Sequence, residues 1–216
     1  MLGAPKYAFS HQAGHVAAAL HSAGLDALWK RPFIAFHVSG GTTEALFVEP
    51  DARYGFAIRR LAGSLDLKAG QAVDRVGAML SLSFPAGPSL ERAALQSHKA
   101  YAPKPAMKGE NCCLSGVENR CARMLAEGEP PCDVARYCLD YLRCTLDAML
   151  RAVLREHPGL PVVFAGGVMS NSILRAHMRE QFGAYFAADG FSSDNAAGIA
   201  VLAARADGKT SAAGAR

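Results

Sequence analysis

The chain has 216 residues, of which half are hydrophobic, so it can bury the core of one large domain or two small ones. Its net charge of +4 permits nucleic-acid contact without arguing for it, because no run of lysine or arginine exists. The longest apolar stretches fall far short of a membrane span, and the opening MLGAPKYAFS lacks the apolar core of a signal peptide, so a cytoplasmic protein with no membrane association is expected.

Ser10 reads as the N-cap of an alanine-rich helix over residues 11–22, which Gly24 ends. His11 and His15 are four residues apart and share one helical face. Two imidazoles at this spacing can grip one metal ion; the competing reading is two solvated histidines. A metalloprotease would need a glutamate base directly after the first histidine. Gln12 stands there, which disfavours that activity.

Residues 32–49, PFIAFHVSGGTTEALFVE, read as two strands, 33–38 and 45–48, joined by a small hydroxyl-rich turn. A plain two-residue hairpin prefers Asn-Gly or Asp-Gly. Here Ser39, Gly40, Gly41 and Thr42 offer backbone N–H groups and hydroxyls that can cradle a phosphate or carboxylate; an ordinary hairpin with a loose loop competes with that reading. A third strand is expected over 55–61 and a helix over 67–80 carrying Asp74. Gly70 sits in its first turns at a cost of roughly 1 kcal/mol, which points to close approach by a ligand or a neighbouring backbone. FPAGP, residues 84–88, reads as a tight turn that places Gly87 before a helix over 89–96, followed by an extended connection over 97–108.

Six cysteines crowd between Cys112 and Cys144 with no Cys-x-x-Cys pair, so free thiols are expected rather than a zinc knuckle. Helical patterns follow over 117–126 and 132–156, the second opened by Pro130 and Pro131. Residues 161–165, PVVFA, read as a short buried strand, followed by Gly166, Gly167 and a helix running to Phe182. A strand, a glycine pair and a helix N-terminus can hold an anion on free N–H groups. Residues 185–186 read as another strand, and Asp194 precedes a helix over 196–205, where it can act as its N-cap. The division expected is 1–108, 109–206 and a disordered tail over 207–216.

Five separated motifs, SHQAGH, VSGGTT, AGQAVDRVG with FPAGP, AGGVMSN and SSDNAAGIA, together resemble the tRNA threonylcarbamoyltransferase family, formerly described as O-sialoglycoprotein endopeptidase. The resemblance runs from about Phe9 to Ala204. It implies an α/β fold of the actin-like, sugar-kinase and Hsp70 ATPase type, with two lobes of which the first is N-terminally incomplete. It implies one divalent ion, Fe or Zn, on His11, His15 and Asp194, with His37 as a further ligand or a partner behind them. It implies ATP or threonylcarbamoyl-adenylate against Ser39, Gly40, Gly41, Thr42, Asp74, Gly87, Gly166, Gly167 and Asn171; no catalytic residue is assigned.

Departures from the family pattern are Thr42-Thr43-Glu44 after the first glycine pair, Asp66-Leu67-Lys68 before the helix of Asp74, and Ser115-Gly116-Val117-Glu118-Asn119, where an acid replaces a lysine. The family's opening strand–turn–strand segment is also lacking, so a fragment, a truncated gene or a chain completed by a partner is expected. The activity implied is transfer of a threonylcarbamoyl group from its adenylate to N6 of an adenosine in tRNA, with tRNA and proteins of the same modification machinery as partners. The alternative is a catalytically degenerate nucleotide-binding or partner-binding paralogue.

Overall fold

The computed structural model describes residues 6–52, 55–188, 190–191 and 196–208. Its centre is a five-stranded mixed sheet in the order β3-β2-β1-β6-β7. Strands β1 (Phe33–Val38), β2 (Thr43–Asp51) and β3 (Gly55–Gly63) form an antiparallel meander. Strands β6 (Val162–Ala165) and β7 (Tyr185–Phe186) then add in parallel on the other side of β1. Every residue of β1 and β6 is buried, as expected of parallel strands covered on both faces.

The sheet carries helices on each face. On one side α1 (His11–Ser22) and α7 (Ala196–Ala206) cover Phe33, Ala35, Leu46 and Val48. On the other, α2 (Ala69–Met79), α4 (Ser115–Ala126), α5 (Pro131–Glu156) and α6 (Ser172–Phe182) bury Ile34, Phe36, Val38 and Phe164, with α3 (Gly87–Ala94) packed on α5. The alternation along β1 therefore splits its side chains between two cores. The predicted boundary at 108 and 109 falls inside a hairpin of β4 (Ala106–Lys108) and β5 (Asn111–Cys113), with Gly109 at φ +61° in its turn. Strands from both sides of that boundary share the one sheet.

Most predicted helices stand within two residues of their expected ends, and local bonds explain the shifts. The helix of Asp74 begins at Ala69 rather than 67 because Lys68 is extended and its N–H donates to the Gln71 side chain at 3.0 Å. The next helix begins at Gly87, two residues early, with Pro88 accommodated in its first turn. The connection over 97–108 is extended to residue 105 and then pairs as β4. It is clamped by Asp140, a buried carboxylate that accepts from Arg136, Arg143 and the Tyr101 N–H at 2.9–3.0 Å. A short 3-10 turn over Asp26–Lys30, which buries Leu28 and Trp29, had no signal strong enough to read from sequence. All six cysteines are free. No helix among the described residues is long and apolar enough to cross a membrane. The tail beyond residue 208 lies outside the described residues.

Helices α1 and α7 cross in backbone contact, since a Cβ on Gly198 would run into the Gly14 carbonyl and approach the Ala18 nitrogen to 2.8 Å. Gly198→Val should separate the two helices and destabilise the chain by about 1–3 kcal/mol, read as a lowered midpoint in urea unfolding. Asp66 ties the segment before α2 to the start of α4. Burial raises its pKa, but hydrogen bonds from the Ser115 hydroxyl and the N–H groups of Leu114, Ser115 and Leu67 prevail and bring it down from 3.8 to about 2. A depressed folded pKa means the stabilisation is complete above the unfolded value and is lost as pH falls towards 2. Asp66→Asn should therefore be less stable than wild type at pH 7, with the difference shrinking between pH 4 and pH 2 in parallel thermal melts.

Candidate functional site

Two glycine turns leave the carboxyl ends of adjacent parallel strands, the place where open α/β sheets bind ligands. The first follows β1 and closes on itself: the Ser39 N–H donates to the Thr42 carbonyl at 2.7 Å, and the Thr42 N–H donates to Ser39 Oγ at 3.1 Å. The second follows β6. Gly166 stands at φ +101°, and a Cβ there would collide with the Val38 carbonyl, so this turn is pressed against the end of β1. The turn Gly167–Ser170 also packs against α2.

The start of α2 closes the floor. The Gly70 N–H donates to the Ser39 carbonyl at 3.1 Å, and the Ala69 N–H donates to Thr43 Oγ1 at 2.9 Å. A Cβ on Gly70 would lie 2.6 Å from the Gly40 backbone, so the close approach inferred from sequence is that of a neighbouring backbone. By contrast, Cβ positions on Gly40, Gly41, Gly87 and Gly167 would meet open space. The N–H groups of Gly40 and Gly41 donate to no protein acceptor among the described residues.

The rim is built by carboxylates that join helices. Asp74 Oδ1 accepts from the Ala86 N–H at 2.9 Å, which fixes the turn ahead of Gly87. One turn along α3, Glu91 accepts from the Ser172 N–H at 2.7 Å and from the Ser172 hydroxyl. Asn171 caps α6 itself, accepting from the Leu174 N–H at 3.1 Å. The α6 N-terminus, read from sequence as an anion holder, therefore has two of its leading N–H groups taken by protein oxygens, one of them a carboxylate. Glu91 escaped the sequence reading; its position four residues after Gly87 on a helix that starts at the site was the available signal.

The histidines lie on the opposite face of the sheet, under α1. The helix starts as predicted, with Ser10 Oγ accepting from the Ala13 N–H at 3.1 Å. His11 and His15 turn their Nε2 atoms to within 3.1 Å of each other. Two nitrogens about 2.0–2.1 Å from one ion in tetrahedral geometry stand roughly 3.3 Å apart, so the pair fits one divalent cation. His37 lies against His15, with ring centroids 4.2 Å apart and the rings tilted by 37°. Burial, and then the neighbouring imidazoles of His15 and His11, lower its pKa from 6.5 to about 4, so the ring is neutral at physiological pH. Among the described residues no three His, Cys, Asp or Glu side chains converge on one point. Asp194 lies outside the described residues. Gly198, four residues after it in sequence, touches Gly14, which lies between the two histidines.

A groove of about 420 Å³ between Trp29, Pro50, Leu202 and Arg205 lies at the Asp51–Gly55 end of β2 and β3, away from both glycine turns.

A family model described as TsaD, tRNA N6-adenosine threonylcarbamoyltransferase, matches residues 1–201. A protein of that name from a strain of Thermus thermophilus is 31% identical over 208 residues, covering 94% of this chain and 62% of the relative. One from Rhodospirillum rubrum is 33% identical over 195 residues, covering 82% of this chain and 51% of the relative. The chain thus spans half to three fifths of the length of these curated relatives. Among solved structures, full-length HypF in its phosphate- and nucleotide-bound form superposes with a TM-score of 0.67 at 15% identity, over 96% of this chain and 44% of that one. Component A of the Acidaminococcus fermentans (R)-2-hydroxyglutaryl-CoA dehydratase superposes with a TM-score of 0.59 at 17% identity, over 92% and 70%. These likenesses show the fold alone, a mixed α/β fold of the actin-like and sugar-kinase-like type.

The histidine pair makes a direct expectation. His11→Ala, His15→Ala and Asp194→Ala should each lose a bound divalent ion that the unaltered chain retains through gel filtration, as read by elemental analysis. Affinity should fall on acidification, because protons and the ion compete for the same imidazole nitrogens.

Proposed function

The chain belongs to the tRNA N6-adenosine threonylcarbamoyltransferase family, and on that footing we propose that it serves transfer of a threonylcarbamoyl group from its adenylate to N6 of an adenosine in tRNA. The observation that carries the reading is the pair of glycine turns on the adjoining ends of β1 and β6, with open space over Gly40, Gly41 and Gly167. In this reading Gly40 and Gly41 present their N–H groups to the phosphate of the adenylate, or of ATP. Ser39 and Thr42 are spent on shaping that turn, and their mutual bonds hold it in place. Asp74 keeps one oxygen on Ala86, and its other oxygen, with the rim carboxylate of Glu91, accepts from ribose hydroxyls. Gly87 leaves room for the sugar, and Asn171 lines the side towards α6. A carboxylate at the α6 N-terminus favours hydroxyl donors there over a second phosphate.

His11 and His15, with Asp194, would hold the divalent ion, Fe or Zn. Such an ion supplies Lewis acidity. The chain's own residues bind, orient and screen the adenylate from water. The partners proposed are tRNA and proteins of the same modification machinery. The setting proposed is cytoplasmic.

A second reading is a binding paralogue without transferase activity. The Arg75–Glu118 ion pair, at 2.7 Å between α2 and α4, bears on it, because the acid that departs from the family pattern at position 118 is here spent on pairing a cation of this chain. Calorimetry with ATP and a non-hydrolysable threonylcarbamoyl-adenylate analogue tests the site itself. Gly167→Asp should abolish binding by filling the open space with a carboxylate. Glu91→Ala should weaken binding of the ribonucleotide but leave the 2′,3′-dideoxy analogue unaffected. Undiminished ribonucleotide binding in both variants would place the nucleotide elsewhere, and binding without transfer to tRNA would favour the second reading.

A further inference from the structure

Glu44 is the second residue of β2, directly after Thr43. It is the cross-strand partner of His37, so the two side chains leave the sheet on the α1 face. One carboxylate oxygen, Oε1, pairs with Arg60 Nε of β3 at 3.3 Å. The other, Oε2, accepts from the Gln12 side-chain amide at 3.2 Å. Gln12 directly follows His11 in the first turn of α1, the turn that the Ser10 hydroxyl caps. His15, one turn later, is seated in the core and only 7% exposed, whereas His11 is exposed and its ring direction follows the turn that carries it.

We propose that Glu44 is a positioning residue for the histidine pair: clamped by Arg60, it holds Gln12 and so fixes the turn of α1 that aims His11 Nε2 at His15 Nε2. The inference rests on the reading of that pair as an ion-holding site. The chain Arg60–Glu44–Gln12 crosses three elements, β3, β2 and α1, and couples the sheet to the first turn of α1, where His11 is exposed and Gln12 half-buried. The carboxylate at position 44 serves both contacts at once, one oxygen accepting from Gln12 and the other paired with Arg60. Removal of groups hydrogen-bonded to metal ligands typically alters affinity 10–100-fold; Glu44 bonds Gln12 rather than a ligand and acts through the turn that carries His11.

The test uses the full chain and cobalt(II) alone, with affinity read by competition against a chromophoric chelator and geometry by the cobalt d–d absorption. Circular dichroism melts confirm that each variant is folded. Glu44→Ala and Gln12→Ala should each weaken cobalt binding about 10–100-fold and alter the d–d band. Glu44→Gln, which keeps an oxygen acceptor for Gln12 but gives up the charge that Arg60 clamps, should recover most of the affinity and the band of the unaltered chain. His11→Ala should abolish binding. If His11→Ala abolishes binding while Glu44→Ala leaves affinity and spectrum unchanged, the ion site stands and the positioning role falls. If Glu44→Gln is as weak as Glu44→Ala while Gln12→Ala is harmless, the carboxylate acts by charge rather than by holding α1, and the proposal is overturned. If the unaltered chain binds no cobalt, the ion site and this inference fail together.

Discussion

The Val38 carbonyl occupies the space where Gly166 would carry a side chain, and the arrangement of the site depends on that contact. It lets the turn after β6 close against the end of β1, so that two glycine turns more than 120 residues apart in sequence face one crevice. The same device recurs twice. Gly70 admits the backbone of Gly40 to the start of α2, and Gly198 admits Gly14 to the crossing of α1 and α7. At each place a methyl group would push main chain against main chain, and neither side could yield without moving a strand or a helix. Glycine at these positions serves packing, whereas at Gly40, Gly41 and Gly167 the space beyond the backbone is open. The distinction separates glycines that build the crevice from glycines that face into it.

The polar groups around this frame are spent with little slack. Asp66, Asp74, Glu91 and Asp140 each accept a backbone N–H from another element, and so act as joints between segments. A carboxylate suits this task because a charged acceptor makes stronger bonds to N–H groups than a neutral one. The arrangement has a chemical consequence at the crevice. The α6 N-terminus presents a carboxylate at its entrance, whereas the space beyond Gly40 and Gly41 is open. The imidazole pair lies on the other face of the sheet. The end of β1 links the two: His37 of that strand lies against His15, and Ser39 begins the glycine turn.

Much was legible in the residues themselves. The apolar runs 33–38 and 161–165 declared buried strands, Ser10 declared a helix start, and Pro131 opened the long helix α5. The spacing of His11 and His15 put both imidazoles on one helical face, because four residues make about one turn. Those features are local, set by backbone periodicity and capping chemistry within a few residues, and the sequence determined them by itself. What it could not determine was which distant segments meet. Nothing near residue 38 or residue 166 states that β1 and β6 pair in parallel, which placed a boundary at 108 and 109 through a hairpin. Nothing near Glu91 states that its carboxylate ends on Ser172, or near Glu44 that it reaches Gln12. Such contacts are fixed by the packing of two cores on the faces of one sheet, where a carbonyl, an amide and a missing methyl must fit at once. Only the tertiary structure brings those groups within a few ångströms of each other, and it is there that the crevice and the aim of the histidine pair are decided.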